Sequence, residues 1–240
     1  MSEAEPASHY PGSELELFAE ANRWKRYIAS EIRPFLGERV LEVGAGIGGT
    51  TRTIAEGRRT AWLCLEPDPA LADALRAAIA RGEIPSFCRV ESGTIASLAQ
   101  GELFDSILYI DVLEHIFDDA GEMREAARHL ARGASLVVLG PAHPWLYSPF
   151  DETIGHHRRY TRQSLRAVAP HELELVRLCY LDSLGLLASA ANRFARKKAL
   201  PTRRDIAFWD RFLVGTSTWL DPILGHRIGK SVLGVWRRPA

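Results

Sequence analysis

The chain has 240 residues, 46% of them apolar and 25% charged, with equal numbers of acidic and basic side chains. Those values describe a soluble globular protein of one domain, and a zero net charge argues against a dedicated nucleic-acid binder. The zero hides an asymmetry, because residues 1–155 carry 14 basic and 24 acidic side chains whereas residues 156–240 carry 16 and 6. A basic C-terminal third suits an anionic partner, such as phosphate or a membrane surface, or else a solvated basic face. Cys64, Cys88 and Cys179 lie far apart in apolar runs, with neither metal-ligand spacing nor a disulfide framework. They read as buried thiols of a cytoplasmic protein. No apolar run approaches the roughly 18 residues of a membrane span, and the acidic, polar start does not read as a signal peptide.

Residues 1–12, with Pro6, Pro11 and Gly12, read as a flexible arm. From Ser13, the spacing of Leu15, Leu17, Phe18, Ala21, Trp24, Tyr27, Ile28 and Ile32 predicts one amphipathic helix, N-capped by Ser13 and ended by Pro34. Trp24 and Tyr27 read as packing residues. An apolar strand over 40–43 then enters the turn Gly44-Ala-Gly46-Ile-Gly48-Gly49, and a helix follows from Thr50 to a stop at Gly57. Gly44, Gly46 and Gly48 remove side chains where a ligand must approach the backbone. The helix start offers free N–H groups to a polar or anionic ligand group. Gly44-x-Gly46-x-x-Gly49 also satisfies a dinucleotide fingerprint, with Glu66 about 20 residues further on. Glu42 favours a different ligand. A carboxylate in an apolar strand end would repel a pyrophosphate and pair with a cationic group.

A buried strand over 60–65 ends in Glu66-Pro-Asp68-Pro. An acid at that strand end can accept both ribose hydroxyls, while Asp68 reads as the N-cap of a helix over 69–81. A strand over 86–90 leads to the loop Glu91-Ser-Gly93-Thr94. A fourth strand, 104–110, delivers Asp111-Val-Leu-Glu114-His115-Ile116 to the sheet edge where open α/β sheets bind ligands. Asp111, Glu114 and His115 are spaced i, i+3, i+4 and share one face if the segment is helical. A helix over 121–132 and an apolar strand over 134–140 complete five strand–helix alternations, which predict a mostly parallel sheet covered on both faces. Residues 141–150 read as a long proline- and aromatic-rich functional loop. Beyond it lie Asp151, His156, His157 and Tyr160, a helix from Thr161 or Ser164, and a strand over 173–180. Helices over 183–198 and 205–219 flank a basic connection, and a final strand covers 231–236.

Leu41-Glu-Val-Gly-Ala-Gly46, Glu66 and Asp111-Val-Leu-Glu-His115, each at a predicted strand end, together resemble class I S-adenosylmethionine-dependent methyltransferases over about residues 36–180 and the closing strand. The resemblance implies an α/β, Rossmann-like, mostly parallel seven-stranded sheet with helices on both faces and an antiparallel last strand. It implies a single domain over 1–240: an arm and helix to residue 35, a cofactor-binding core over 36–140, and an acceptor-side lid loop, helices and closing strands over 141–240. The cofactor would be S-adenosyl-L-methionine, bound by Glu42, Gly44, Ala45, Gly46, Glu66, Gly93, Thr94 and Asp111, with Gly93 and Thr94 edging the adenine.

The segment from Pro141 to Tyr160 looks like a bacterial subgroup found with glycosyltransferases in polysaccharide or glycolipid pathways. The implied acceptor is a small molecule, a glycan or a lipid-linked substrate. Nucleic acid is not expected, since Asp111-Val-Leu-Glu114 stands where amine-directed nucleic-acid methyltransferases carry N/D-P-P-Y/F. An oxygen acceptor must lose a proton, and a histidine is the usual agent. His143, His156 and His157 follow the fifth strand, and His156 is the first choice. Asp111, Glu114, His115 and His156 also resemble the ligands of metal-dependent methyltransferases acting on RNA ends and quinone-precursor catechols, with Asp in place of the first Glu. Residues 184–191, with Arg193, Arg196, Lys197 and Lys198, suit either an anionic membrane surface or packing over the acceptor pocket. A non-catalytic cofactor-binding module and a nicotinamide-dependent oxidoreductase are the alternative functions.

Overall fold

The computed structural model describes residues 14–57, 59–193 and 201–240. The strands are β1 (Arg39–Val43), β2 (Ala61–Glu66), β3 (Cys88–Ser92), β4 (Phe104–Ile110), β5 (Leu130–Pro141), β6 (Glu174–Leu181) and β7 (Ser231–Arg237). They form one seven-stranded sheet in the order β3-β2-β1-β4-β5-β7-β6. The first five pair in parallel, and β7 runs antiparallel to both β5 and β6. The helices are α1 (Glu14–Ala19), α2 (Asn22–Ile32), α3 (Thr51–Ile54), α4 (Pro69–Ala80), α5 (Asp119–Arg128), α6 (Pro149–Thr153), α7 (Arg162–Val168), α8 (Ser183–Ala191), α9 (Arg203–Phe208) and α10 (Gly215–Ile223). A π-helical stretch, Trp209–Val214, joins α9 to α10.

Strand alternation sends neighbouring side chains to opposite cores. Val40, Leu108 and Val137 pack with Trp24 and Ile28 of α2 and Leu75 of α4. Leu41, Tyr109 and Val138 pack with Met123 of α5 and Leu165 of α7. Because both faces are covered, the central strands are apolar almost throughout, as parallel strands must be. β1 lies between β2 and β4, so the crossovers diverge from it. Ligands of open α/β sheets bind at the carboxyl ends of strands flanking such a point.

Several boundaries differ from the sequence reading. The first helix is two helices, broken at Glu20 and Ala21. The start of α2 is capped from far along the chain: Asp210 accepts hydrogen bonds from the amides of Arg23 at 3.1 Å and Trp24 at 2.8 Å. Helix α5 ends at Arg128, and β5 begins at Leu130, which pairs with Phe104 ahead of a register shift. The 141–150 segment is not all loop. It holds a 3-10 turn, Pro144–Leu146, and the start of α6. Asp68 does cap α4, accepting from the amides of Ala70 at 2.8 Å and Leu71 at 3.2 Å. The expected arm, its Ser13 cap and the basic cluster Arg196-Lys197-Lys198 lie outside the described residues.

Two buried aspartates fasten the C-terminal helices to the sheet. Asp221 accepts from the Tyr27 hydroxyl at 2.7 Å and from the amides of Asp182 at 2.7 Å and Ser183 at 3.1 Å. Asp182 accepts from Trp209 Nε1 at 2.6 Å, Ser217 Oγ at 2.9 Å and the Gly185 amide at 3.0 Å. Replacing Asp221 by alanine strands three buried donors, each of which costs about 1–3 kcal/mol when left unpaired. Asp221→Ala is expected to lower the unfolding free energy by about 3–5 kcal/mol in urea titrations. A loss below about 1 kcal/mol would show that the helices are held some other way.

Candidate active site

The turn after β1 passes through three glycines with positive φ, Gly44 at 67°, Gly46 at 56° and Gly48 at 74°. Their reasons for being glycine differ. A Cβ on Gly44 would meet Val112 at 2.6 Å, and one on Gly48 would meet Leu75 at 2.4 Å and Ile84 at 2.5 Å. Those two positions make room for the protein's own packing. Only at Gly46 does the missing side chain open onto a cavity, where the nearest atoms are the Leu15 methyls at 3.5 and 3.6 Å. The cavity encloses about 240 Å³ and runs from this turn to the segment after β4.

Glu42, Gly44, Ala45 and Gly46 line it from the turn, and Asp111, Glu114, His115 and His156 line it from the segments after β4 and β5. The Glu42 carboxylate is buried and accepts from Thr51 Oγ1 at 2.8 Å and Trp62 Nε1 at 2.9 Å. Burial raises its carboxyl to about 7, against the pull of those two hydrogen bonds. Glu66, Gly93 and Thr94 are neighbours of one another but do not line the cavity. The Gly93 amide donates to the Glu66 carbonyl at 3.1 Å. The Glu66 carboxylate is itself buried, accepting from the amides of Gly46 at 2.8 Å and Asp68 at 3.0 Å, so it braces the turn from behind.

Beside the turn, β4 stops at Ile110 and the chain enters Asp111 with φ 53°, a left-handed backbone that asparagine and aspartate tolerate better than most residues. The segment continues as a 3-10 turn, Leu113–His115, rather than an α-helix. Asp111 faces the cavity. Its side chain is open to the cavity, and the surrounding protein raises its carboxyl to about 6 by desolvation, with His156 and Lys230 pulling it back. The expected ring of histidines is only partly assembled. His143 stacks on Tyr180 with centroids 4.9 Å apart and contacts the Gly229 carbonyl at 3.0 Å, outside the cavity lining. His157 lies against Phe117. His156 faces the cavity, its ring 4.6 Å from that of His115.

His156 is held by Asp151, a residue to which the sequence alone assigns no role. Asp151 is fully buried and meets His156 Nδ1 at 2.9 Å. It also accepts from Arg159 at 2.8 and 2.9 Å, and from Ser148 N at 2.9 Å and Oγ at 2.8 Å. These donors carry its carboxyl well below the usual range, although burial alone would raise it. The capping box of α6, with Ser148 at the cap and Asp151 three residues on, was the local signal available. Lys230 had no signal. It lines the cavity with Nζ 4.2 Å from the Trp209 ring centroid, and burial lowers its pKa. Leu15, Phe18, Trp24, Phe150 and Trp209 supply apolar wall. Trp24 therefore does more than pack, whereas Tyr27 is bound to Asp221.

Comparison with known proteins agrees with this geometry. Residues 41–136 match the family described as a methyltransferase domain. The chain is 30% identical over 171 residues to a demethylmenaquinone methyltransferase of Tropheryma whipplei (strain Twist), an overlap of 68% of this chain and 65% of that protein. The chain thus spans slightly less than two thirds of that relative's length. Geranyl diphosphate C-methyltransferase from Streptomyces coelicolor A3(2) superposes with a TM-score of 0.65 at 16% identity, covering 97% of this chain and 86% of that one. The [4+2]-cyclase SpnF superposes with a TM-score of 0.61 at 14% identity, covering 95% of each chain. Residues 41–136 thus form a methyltransferase domain, and the seven-stranded sheet that holds them has the Rossmann-like fold of class I S-adenosylmethionine-dependent methyltransferases. The cofactor is that of the class, S-adenosylmethionine. The residues present fit it: a Cβ at Gly46 would intrude into the cavity, and the buried carboxyl of Glu42 lines the same cavity for a cationic group.

Glu42 gives this site a pH signature. Its carboxyl rises in the folded state from an ordinary value near 4.5 to about 7. The folded form therefore holds the proton more tightly, and this contribution to stability is present below the ordinary value and lost as pH climbs through about 7. Between about pH 5 and 8, calorimetry should show the ligand-free melting temperature falling more steeply for the parent than for Glu42→Gln. Parallel curves would mean that Glu42 titrates normally.

Proposed function

We propose that the protein transfers the methyl group of S-adenosylmethionine to an oxygen of a small acceptor, free or carried on a glycan or lipid. The observation that carries this reading is the single cavity joining Glu42 and Gly46 to Asp111 and His156. When bound, the cofactor supplies a methyl group already activated on a sulfonium, leaving the protein to provide alignment and exclusion of water. Glu42 and Asp111 meet the cationic end of the ligand, and Gly46 admits close approach along the turn. Glu66 holds the ribose while Gly93 and Thr94 edge the adenine. Glu66 has capacity for this, since a carboxylate offers about four lone-pair sites and the backbone uses two. His156 promotes the acceptor's loss of its proton. Asp151 fixes its ring through Nδ1, which leaves Nε2 towards the cavity.

Phe18, Trp24, Phe150 and Trp209 suit an apolar acceptor body, and Lys230 suits an anionic group on it. The names of the two methyltransferase relatives give demethylmenaquinone and geranyl diphosphate as acceptors, both small molecules. Lipid linkage draws support from the outer surface of the same helix that carries Trp209. Phe208, Phe212, Trp219 and Ile223 stand 53–81% exposed there, in the basic part of the chain. No helix among the described residues is long and apolar enough to cross a membrane, so such contact would be peripheral. Three buried free thiols suit a cytoplasmic setting.

Labelled-methyl transfer to an extract of small molecules and glycolipids tests the activity, and S-adenosylhomocysteine should raise the melting temperature where NAD does not. Stabilisation by NAD alone would favour the oxidoreductase; cofactor binding without any labelled product would favour a binding module. Gly46→Val should abolish cofactor binding by calorimetry, because the side chain enters the cavity on a left-handed backbone. His156→Ala should keep cofactor affinity and lower kcat about 100-fold or more; an unchanged kcat would remove this histidine from the chemistry. In flotation assays, anionic vesicles should carry the protein at low salt and neutral vesicles should not. Recovery with neither kind of vesicle would dismiss the membrane contact.

A further inference from the structure

We propose that Glu114, His115 and His156 form a binding site for one divalent transition-metal ion at the acceptor end of the cavity. The inference starts from Glu114. Its side chain is fully buried, and no donor of any other described residue meets either carboxylate oxygen; only its own backbone amide is turned towards it. By contrast, the fully buried aspartates Asp151, Asp182 and Asp221 are each met by several donors. His156 Nε2 stands 3.7 Å from Glu114 Oε1, too far for a hydrogen bond and the right order of separation for two ligands of a common ion. One candidate ligand atom from each of Glu114, His115 and His156 can be chosen so that all lie within 4.8 Å of one another.

The surroundings match what metal-bound imidazoles need. A ligating histidine usually gives its other ring nitrogen to a carboxylate or backbone carbonyl, which fixes the ring and its tautomer. His156 has Asp151 at Nδ1, 2.9 Å away, and His115 has a hydrogen bond to the backbone of Gly155. Asp151 is in turn fixed by Arg159 and Ser148, so the support extends two residues beyond the ligand. Two imidazoles and one carboxylate suit a first-row divalent ion, and three protein ligands leave positions open for an acceptor oxygen. Asp111 faces the same cavity but falls outside the three-residue cluster. This inference rests on the acceptor end assigned above and specifies its means: His156 acts on the acceptor through the ion, not by taking the proton on its own nitrogen.

The test is a titration of chelator-treated, dialysed protein with Co²⁺, followed by visible absorption and equilibrium dialysis. One ion per chain with ligand-field bands is expected, displaced by Zn²⁺ and accompanied by a higher melting temperature. Glu114→Gln and His115→Gln, checked for folding by circular dichroism, should each weaken binding at least tenfold. Asp151→Asn should weaken it about 10–100-fold while leaving the ligands in place. Absence of stoichiometric Co²⁺ binding by the parent, or equal binding by the folded Glu114→Gln and His115→Gln variants, overturns the proposal. Methyl transfer that survives full chelation also overturns it and leaves the methyltransferase reading intact. Bound cobalt in a protein that methylates no acceptor would do the reverse.

Discussion

A carboxylate removed from water must be answered by donors, by a proton or by a cation, and this constraint orders the whole structure. Asp182 and Asp221 are answered by amides, hydroxyls and an indole, and those bonds attach the last third of the chain to the sheet. Asp151 is answered by a guanidinium, a serine and a histidine, and so sets the acceptor end. Glu42 is answered in part, and Glu114 by no donor of any other described residue. The two carboxylates that the protein leaves short of donors both line the cavity. A site can be located in this molecule by asking where the protein has withheld its own donors.

The sheet was legible because its signals are local. Residues 104–110 are mostly apolar, bounded and followed by polar side chains, and β4 has those limits. Asp68 sits one residue before a proline that starts a helix, and it caps that helix. The boundaries that were misplaced answer to distant partners. Nothing near Ala21 marks a helix start, because the cap comes from Asp210. The beginning of β5 depends on Phe104 accepting Leu130 as its neighbour ahead of a shift in register.

The site divides in the same way. The turn around Gly46 is encoded by a dozen consecutive residues and was visible at once. Yet the glycine pattern alone could not separate ligand clearance from packing, since Gly44 and Gly48 are small on account of Val112, Leu75 and Ile84. The rest of the cavity draws on α1, α2, the segment after β4, α6, the π-helical stretch and the approach to β7. Lys230 reaches it across an aromatic ring from a helix more than a dozen residues earlier. The spacing of Asp111, Glu114 and His115 suggested a helical face, but a left-handed residue followed by a 3-10 turn brings the latter two to His156 and holds Asp111 apart.

The backbone at Asp111 has an evolutionary corollary. A non-glycine residue at φ 53° carries a conformational cost, of order 1 kcal/mol, that glycine would not. The position therefore sets thermostability against the carboxyl group that faces the ligand. Heat challenge without selection for turnover should enrich glycine or asparagine at 111, yielding sturdier proteins whose cavity has lost one of its charges.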